Sequence, residues 1–132
     1  MKIYDFGQGI PECVQKKGGE LSVTALAVKQ GSGSLKWDFR HGDQLIFNTE
    51  IGYRSNEQNC HDSRVYAFFM YLYGISAFGS LHIGFCKGGI EKTGFDVILN
   101  FDGWRSVSAC FDRDMNGIPE EGMDQLVISA CG

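Results

Sequence analysis

Residues 95–114 read F-D-V-I-L-N-F-D-G-W-R-S-V-S-A-C-F-D-R-D, and their period decides the class of fold. Phe95, Val97, Leu99 and Phe101 alternate with Asp96, Ile98, Asn100 and Asp102. Beyond a corner at Gly103, Val107, Ala109 and Phe111 repeat the same two-residue step. Successive side chains of an extended strand point to opposite faces, so each segment carries an apolar row on one face. The stretch is expected to run strand, Asp-Gly-Trp-Arg corner, strand, with the terminal acids opening a turn.

The same pattern spreads outward in both directions. Residues 79–86 set Leu81, Ile83 and Phe85 opposite His82 and Gly84, and residues 44–48 put Leu45 and Phe47 together. Residues 35–39 alternate strictly, with Leu35, Trp37 and Phe39 on one face and Lys36 and Asp38 on the other. Residues 21–28 and 125–129 read as further strands, and residues 4–11 as a short first strand running into a turn. Residues 52–64 are polar throughout and form the longest exposed loop. Residues 65–73, V-Y-A-F-F-M-Y-L-Y, are apolar on both faces. They are expected as a central strand covered on each side, or as a strand whose second face docks onto something else. No segment sustains an i, i+3, i+4, i+7 stripe, so little or no helix is expected. Eight or nine short antiparallel strands imply an all-β fold, a two-sheet sandwich of jelly-roll type.

Composition narrows the function classes. A chain of 132 residues suits one domain, 1–132, with a core that needs no disulfides. Eighteen glycines beside two prolines point to many tight turns. A net charge of -4 and a pI near 5.3 exclude a nucleic-acid partner, which would need a basic face. No apolar run approaches the roughly 18–20 residues of a membrane span, so no membrane partner is expected. Met1-Lys2-Ile3-Tyr4-Asp5 lacks the apolar core of a signal peptide; an exported parent protein would have lost its leader. Cys13, Cys60, Cys86, Cys110 and Cys131 are widely and irregularly spaced, which reads as buried thiols with room for one disulfide of unassigned connectivity.

Few constellations carry chemistry. His41, His61 and His82 form no ligand spacing, and the adjacency of Cys60, His61 and Asp62 on one loop does not give the convergence a catalytic relay needs. Asp112-Arg113-Asp114-Met115-Asn116-Gly117 opens like a calcium loop, but Met123 occupies the position where such a loop requires a bidentate Glu. A solvated turn on Asn116-Gly117 is expected instead. Trp37 is in phase with Leu35 and Phe39 and is assigned to the core, whereas Trp104 and Arg105, at the corner, are the candidates for contact with a sugar.

Four segments, taken in order, carry a resemblance. Ile3-Tyr4-Asp5-Phe6-Gly7-Gln8, then G-S-G-S-L-K-W-D-F at 31–39, then Phe101-Asp102-Gly103-Trp104-Arg105, then R-D-M-N-G-I-P-E-E-G-M-D-Q-L-V-I at 113–128 resemble the N-terminal domain of chondroitin sulfate ABC lyases. The similarity spans essentially the whole chain. It implies a galactose-binding or carbohydrate-binding-module-like jelly roll, followed in such proteins by a helical catalytic domain that degrades glycosaminoglycans by β-elimination. The tyrosine, histidine, arginine and glutamate side chains of that elimination belong to the helical domain. By this resemblance the chain is not itself an enzyme; it is a noncatalytic accessory domain of a polysaccharide lyase, periplasmic or extracellular in its parent protein. Its partners would be a chondroitin or dermatan sulfate chain, the helical lyase domain, or both. The alternative is a structural domain that docks on the catalytic domain without touching sugar. The resemblance also implies a structural calcium or sodium ion held at Asp5, Gln30, Gly33 and Asp124, the first three through main-chain carbonyls and Asp124 through its carboxylate. No organic cofactor is implied.

Overall fold

The computed structural model describes residues 6–26, 29, 32–54, 67–75 and 79–131. Among them are ten strands and no helix: β1 (Val14–Lys17), β2 (Glu20–Thr24), β3 (Ser34–Asp38), β4 (Gln44–Phe47), β5 (Ala67–Ile75), β6 (Ser80–Lys87), β7 (Ile90–Ile98), β8 (Asp102–Cys110), β9 (Asn116–Gly117) and β10 (Gln125–Cys131). All pairings are antiparallel. Six strands form one sheet in the order β1-β4-β10-β6-β7-β9, and β2–β3 and β5–β8 form two ribbons. The all-β class read from the two-residue period is therefore the observed one.

The last strand sits in the middle of the large sheet. Leu126 lies opposite Phe47 on one side and Phe85 on the other, and Ile128 lies opposite Leu45 and Ile83. Ile83 in turn faces Phe95. The Ile128 row therefore crosses four strands without a polar interruption, whereas the Leu126 row reaches the buried Thr93 on β7, whose hydroxyl donates to the Asn116 carbonyl; Ile83 and Phe85 are 0% and 1% exposed. Each such side chain contributes about 1.5–3 kcal/mol when fully buried. Phe68, Met70 and Leu72 of β5, with Leu35 and Trp37 of β3, pack against this row from above. The Phe68 ring stands 5.3 Å from Phe85 and 6.0 Å from Phe95, which seals the β5–β8 ribbon to the sheet as a second layer. Gly88 and Gly89, both at positive φ, close the β6–β7 hairpin in a backbone shape that glycine adopts without strain.

Four details differ from the sequence reading. Within residues 4–11 only Phe6 onward is described, and that part is a turn in which the Gly9 N–H donates to the Phe6 carbonyl at 3.2 Å. Residues 4 and 5, where that strand would begin, lie outside the described residues; the first described strand is β1, whose V-Q-K-K leaves only Val14 partly buried, so it gives no apolar alternation to detect. The corner after β7 falls on residues 99–101 rather than on Gly103. Leu99 and Phe101 are both buried there, so the apolar period runs straight through the bend and hides it. Finally, of the 65–73 run, 65 and 66 lie outside the described residues. The rest belongs to β5, which among the described residues pairs only with β8; β10 and β6, not β5, are the strands flanked deep within the large sheet.

The calcium-like run is a turn, as expected, and its acids are engaged within the protein. Asp112 accepts the Tyr53 hydroxyl at 2.7 Å, and Asp114 accepts the Cys110 N–H at 2.8 Å. The Arg113 guanidinium, followed by that Cys110 amide, lowers the Asp114 pKa to about 2. Burial and the Asp112 carboxylate push the Tyr53 hydroxyl up to about 12, so it stays protonated and donating.

On the outer face of the large sheet, His82 is strapped between two carboxylates of β7. Its Nδ1 lies 2.7 Å from Asp96 and its Nε2 lies 2.8 and 3.0 Å from the two Glu91 oxygens. Ionised carboxylates only accept, so both contacts are satisfied together only when both ring nitrogens carry protons. Burial pulls the His82 pKa down, but hydrogen bonds to Asp96 and Glu91, with their charges, outweigh it and leave the value raised. Gly84 makes room for the strap, since a Cβ there would collide with the Glu91 carboxylate. Across β10 the neighbour is Ser129, hydrogen-bonded to Gln44 at 3.1 Å, so no further charge faces the ring from that side.

Two measurements check this architecture. A Cβ on Gly74 would lie 2.5 Å from the Phe101 carbonyl oxygen and 2.7 Å from its ring. Gly74→Ala is therefore expected to lower stability by about 1–3 kcal/mol in urea unfolding, whereas Gly52→Ala, in open space, changes it by less than about 0.5. The strap has a defined sign with pH. Because the folded pKa of His82 is raised above the ordinary value near 6.5, its contribution is complete below about pH 6.5 and is lost as pH rises through the folded value. The stability advantage of the protein over His82→Gln should shrink across that alkaline range, and two parallel pH curves would show that the strap does not operate.

Candidate functional site

The most distinctive surface among the described residues is the outer side of the β5–β8 ribbon. Alternation in β5 sends Phe68, Met70 and Leu72 inward to the core, which leaves Phe69, Tyr71 and Tyr73 pointing out. Phe69 and Tyr73 are 54% and 49% exposed, unusual for large rings. The register with β8 places Ser108 beside Phe69, Ser106 beside Tyr71 and Trp104 beside Tyr73. Serines are short, so the Phe69 and Tyr71 rings stand clear of their cross-strand neighbours, while Trp104 adds a fourth ring to the row.

The rings are ordered in pairs. Phe69 and Tyr71 meet edge to face with centroids 4.9 Å apart, and Tyr73 and Trp104 do so at 5.1 Å. Such contacts hold ring orientation through their quadrupoles and contribute about 0.5–1.5 kcal/mol beyond area burial. Lys29 stands over the Tyr71 ring, its Nζ 5.3 Å from the centroid. The surface thus offers apolar ring faces, two exposed serine hydroxyls and one cation. That combination can stack on the C–H face of a pyranose and bond its hydroxyls, and it can equally bury apolar surface of a protein.

The two sugar candidates from the sequence part company. Trp104 shares the outer face with Tyr73, but Arg105 is the next residue in the strand and so turns to the other side, opposite Leu72. Its guanidinium lies 4.3 Å above the Phe101 ring. Trp37 is where its phase put it, in the core cluster, with its indole N–H donating to the Gly18 carbonyl at 3.2 Å. Phe69, Tyr71 and Tyr73 were not singled out as contacts. The signal was present in the aromatic residues at every second position of the 65–73 run, but their outward orientation depended on which layer β5 joined. Lys29 had no sequence signal at all.

Of the positions implied for a cation, Asp5 and Gln30 lie outside the described residues. Gly33 is buried, with Val23 and the Phe6 carbonyl closest to where a Cβ would stand. Asp124 is exposed at a polar cleft of about 400 Å³ lined by Asn48, Thr49, Glu50, Gly89, Asp124 and Gln125. Its carboxylate receives the Gly88 N–H at 3.4 Å, a long contact that leaves lone pairs available. Among the described residues no group of three or more His, Cys, Asp or Glu is disposed to hold a metal. Cys60, His61 and Asp62 lie outside them, and Cys86, Cys110 and Cys131 are free thiols. Burial, then the Glu91 and Asp124 charges, push the Cys86 thiol pKa up, away from reactive thiolate.

Residues 1–131 match a family model described as "Lyase, N terminal". The chain is 30% identical over 122 residues to a chondroitin sulfate ABC exolyase of Bacteroides thetaiotaomicron, covering 92% of this chain and 12% of that protein. It is also 30% identical over 130 residues to a chondroitin sulfate ABC exolyase of Proteus vulgaris, covering 97% of this chain and 13% of that protein. The chain therefore spans about an eighth of the length of these curated relatives. With a match running across nearly every residue, it belongs to the lyase N-terminal family.

Proposed function

We propose that this domain is the noncatalytic accessory module of a glycosaminoglycan lyase, presenting the outer face of the β5–β8 ribbon to the polysaccharide. The observation that carries the reading is the outward row Phe69, Tyr71, Tyr73 and Trp104, with Phe69 and Tyr73 about half exposed, on an otherwise acidic domain. The relatives named for chondroitin sulfate supply the ligand class. Aromatic faces supply sequence-tolerant stacking along a chain, and rings held edge to face by their neighbours lose little freedom on binding. The β-elimination itself belongs, on this reading, to other parts of the parent protein.

A second reading rests on the same exposure. Phe69 and Tyr73 could serve as anchors that bury against the catalytic domain, and the net charge of -4 opposes a polyanion. It requires self-association of the isolated domain and no uptake of glycan. A cation of the kind the resemblance implies would take the Asp124 carboxylate as a hard oxygen ligand.

Isothermal calorimetry with chondroitin sulfate oligosaccharides separates the two readings. Binding is expected, and Tyr73→Ala or Trp104→Ala should each weaken it about 10-fold, a loss of about 1.4 kcal/mol, with the unfolding midpoint retained. Absence of binding heat together with concentration-dependent dimerisation would select docking. For the cation, unfolding midpoints in calcium, sodium and chelator-treated potassium buffers are expected to differ, and Asp124→Asn should erase the difference. Equal midpoints in all three buffers would remove the ion from the account.

A further inference from the structure

The aromatic face has an uneven charge pattern that bears on which glycan it takes. Lys29 stands over Tyr71, near the middle of the ribbon. Asp102 closes one end of the same outer face, opposite Ile75, four residues along β5 from Tyr71 and so about 13 Å away. At the other end, beyond Cys110, come Asp112 and Asp114; Asp114 is paired with Arg113, and Asp112 accepts from Tyr53. Arg105, the other cation of β8, is turned away and stacked on Phe101. A sugar chain lying along the rings therefore meets Lys29 near its centre and the Asp102 carboxylate toward one end.

Resting on the reading of this face as a glycan site, we infer that Lys29 sets its specificity. The preferred ligand is a glycan of low charge density that carries one uronate carboxylate per repeat and little or no sulfate. The uronate pairs with the Lys29 ammonium while the neighbouring sugar rings stack on Tyr71, Tyr73 and Trp104. Among the described residues, additional sulfates meet no second cation along the row and approach Asp102 at its end, on a domain that is already negative. The cation–π contact with Tyr71 holds the ammonium over the row, where it can pair with a single carboxylate.

The test uses the whole chain and four size-matched oligosaccharides: unsulfated chondroitin, hyaluronan, chondroitin sulfate and carboxyl-reduced chondroitin. The unsulfated uronate-bearing pair should bind at least as tightly as chondroitin sulfate, and carboxyl reduction should weaken binding about 10-fold. Lys29→Gln should bring unsulfated chondroitin down to that weaker level without further loss for the carboxyl-reduced ligand, and Lys29→Arg should restore most of the affinity. Tighter binding of the sulfated chain, or indifference to Lys29→Gln while Trp104→Ala still weakens binding, would overturn the role of Lys29 and leave the aromatic site standing. Failure of all four ligands to bind would overturn the glycan reading and this inference with it.

Discussion

The structure depends on the seating of β10 between β4 and β6. Leu126 and Ile128 each join an inward apolar residue of β4 to one of β6, and Ile128's row runs on to Phe95 of β7, so removing the central member would leave the two halves of the sheet without a common core. The contacts join residues far apart in the chain, since the last strand lies against one from the first third. The hydrophobic gain of these rows is returned only after long loops are closed, so the sheet is built from non-local pairings.

Given that sheet, the ribbon has little choice of orientation. Phe68 fills the space over Phe85 and Phe95, and Gly74 passes so close to Phe101 that no side chain fits between them. With β5 held at both ends, the alternation of a strand turns Phe69, Tyr71 and Tyr73 outward. Apolar rings that face solvent in a domain whose core is already complete are the kind of surface that suits a ligand or a partner. The serines of β8 keep the rings uncovered, whereas larger side chains at 106 and 108 would have closed over them.

Charge is arranged against this apolar background with the same economy. The acids of the 112–114 turn are engaged by Tyr53, Arg113 and the Cys110 amide, and the Glu91 and Asp96 carboxylates are engaged by His82. Lys29 stands over the aromatic row and Asp102 lies at its end, on the same outer face.

Much of the fold was legible in the residues alone. Period-two alternation in β3, β4, β6, β7 and β10 marked strands and their inward faces because one face of each is dry, and glycine pairs such as Gly88-Gly89 marked turns because only glycine adopts their backbone without strain. Four motifs in order identified the family. The edge strand β1 was not legible, since its side chains are wet on both faces and only its backbone pairs. The place of the bend at 99–101 was hidden because Leu99 and Phe101 bury inward and continue the period. The aromatic row was written in the sequence as a run apolar on both faces, but alternation says only which residues share a face, not which face meets the core. That was decided by the tertiary contact of Phe68 with Phe85. The same pairing of β5 with β8 separated Trp104 from Arg105, because neighbours in a sequence become opposites once a strand is packed on one side.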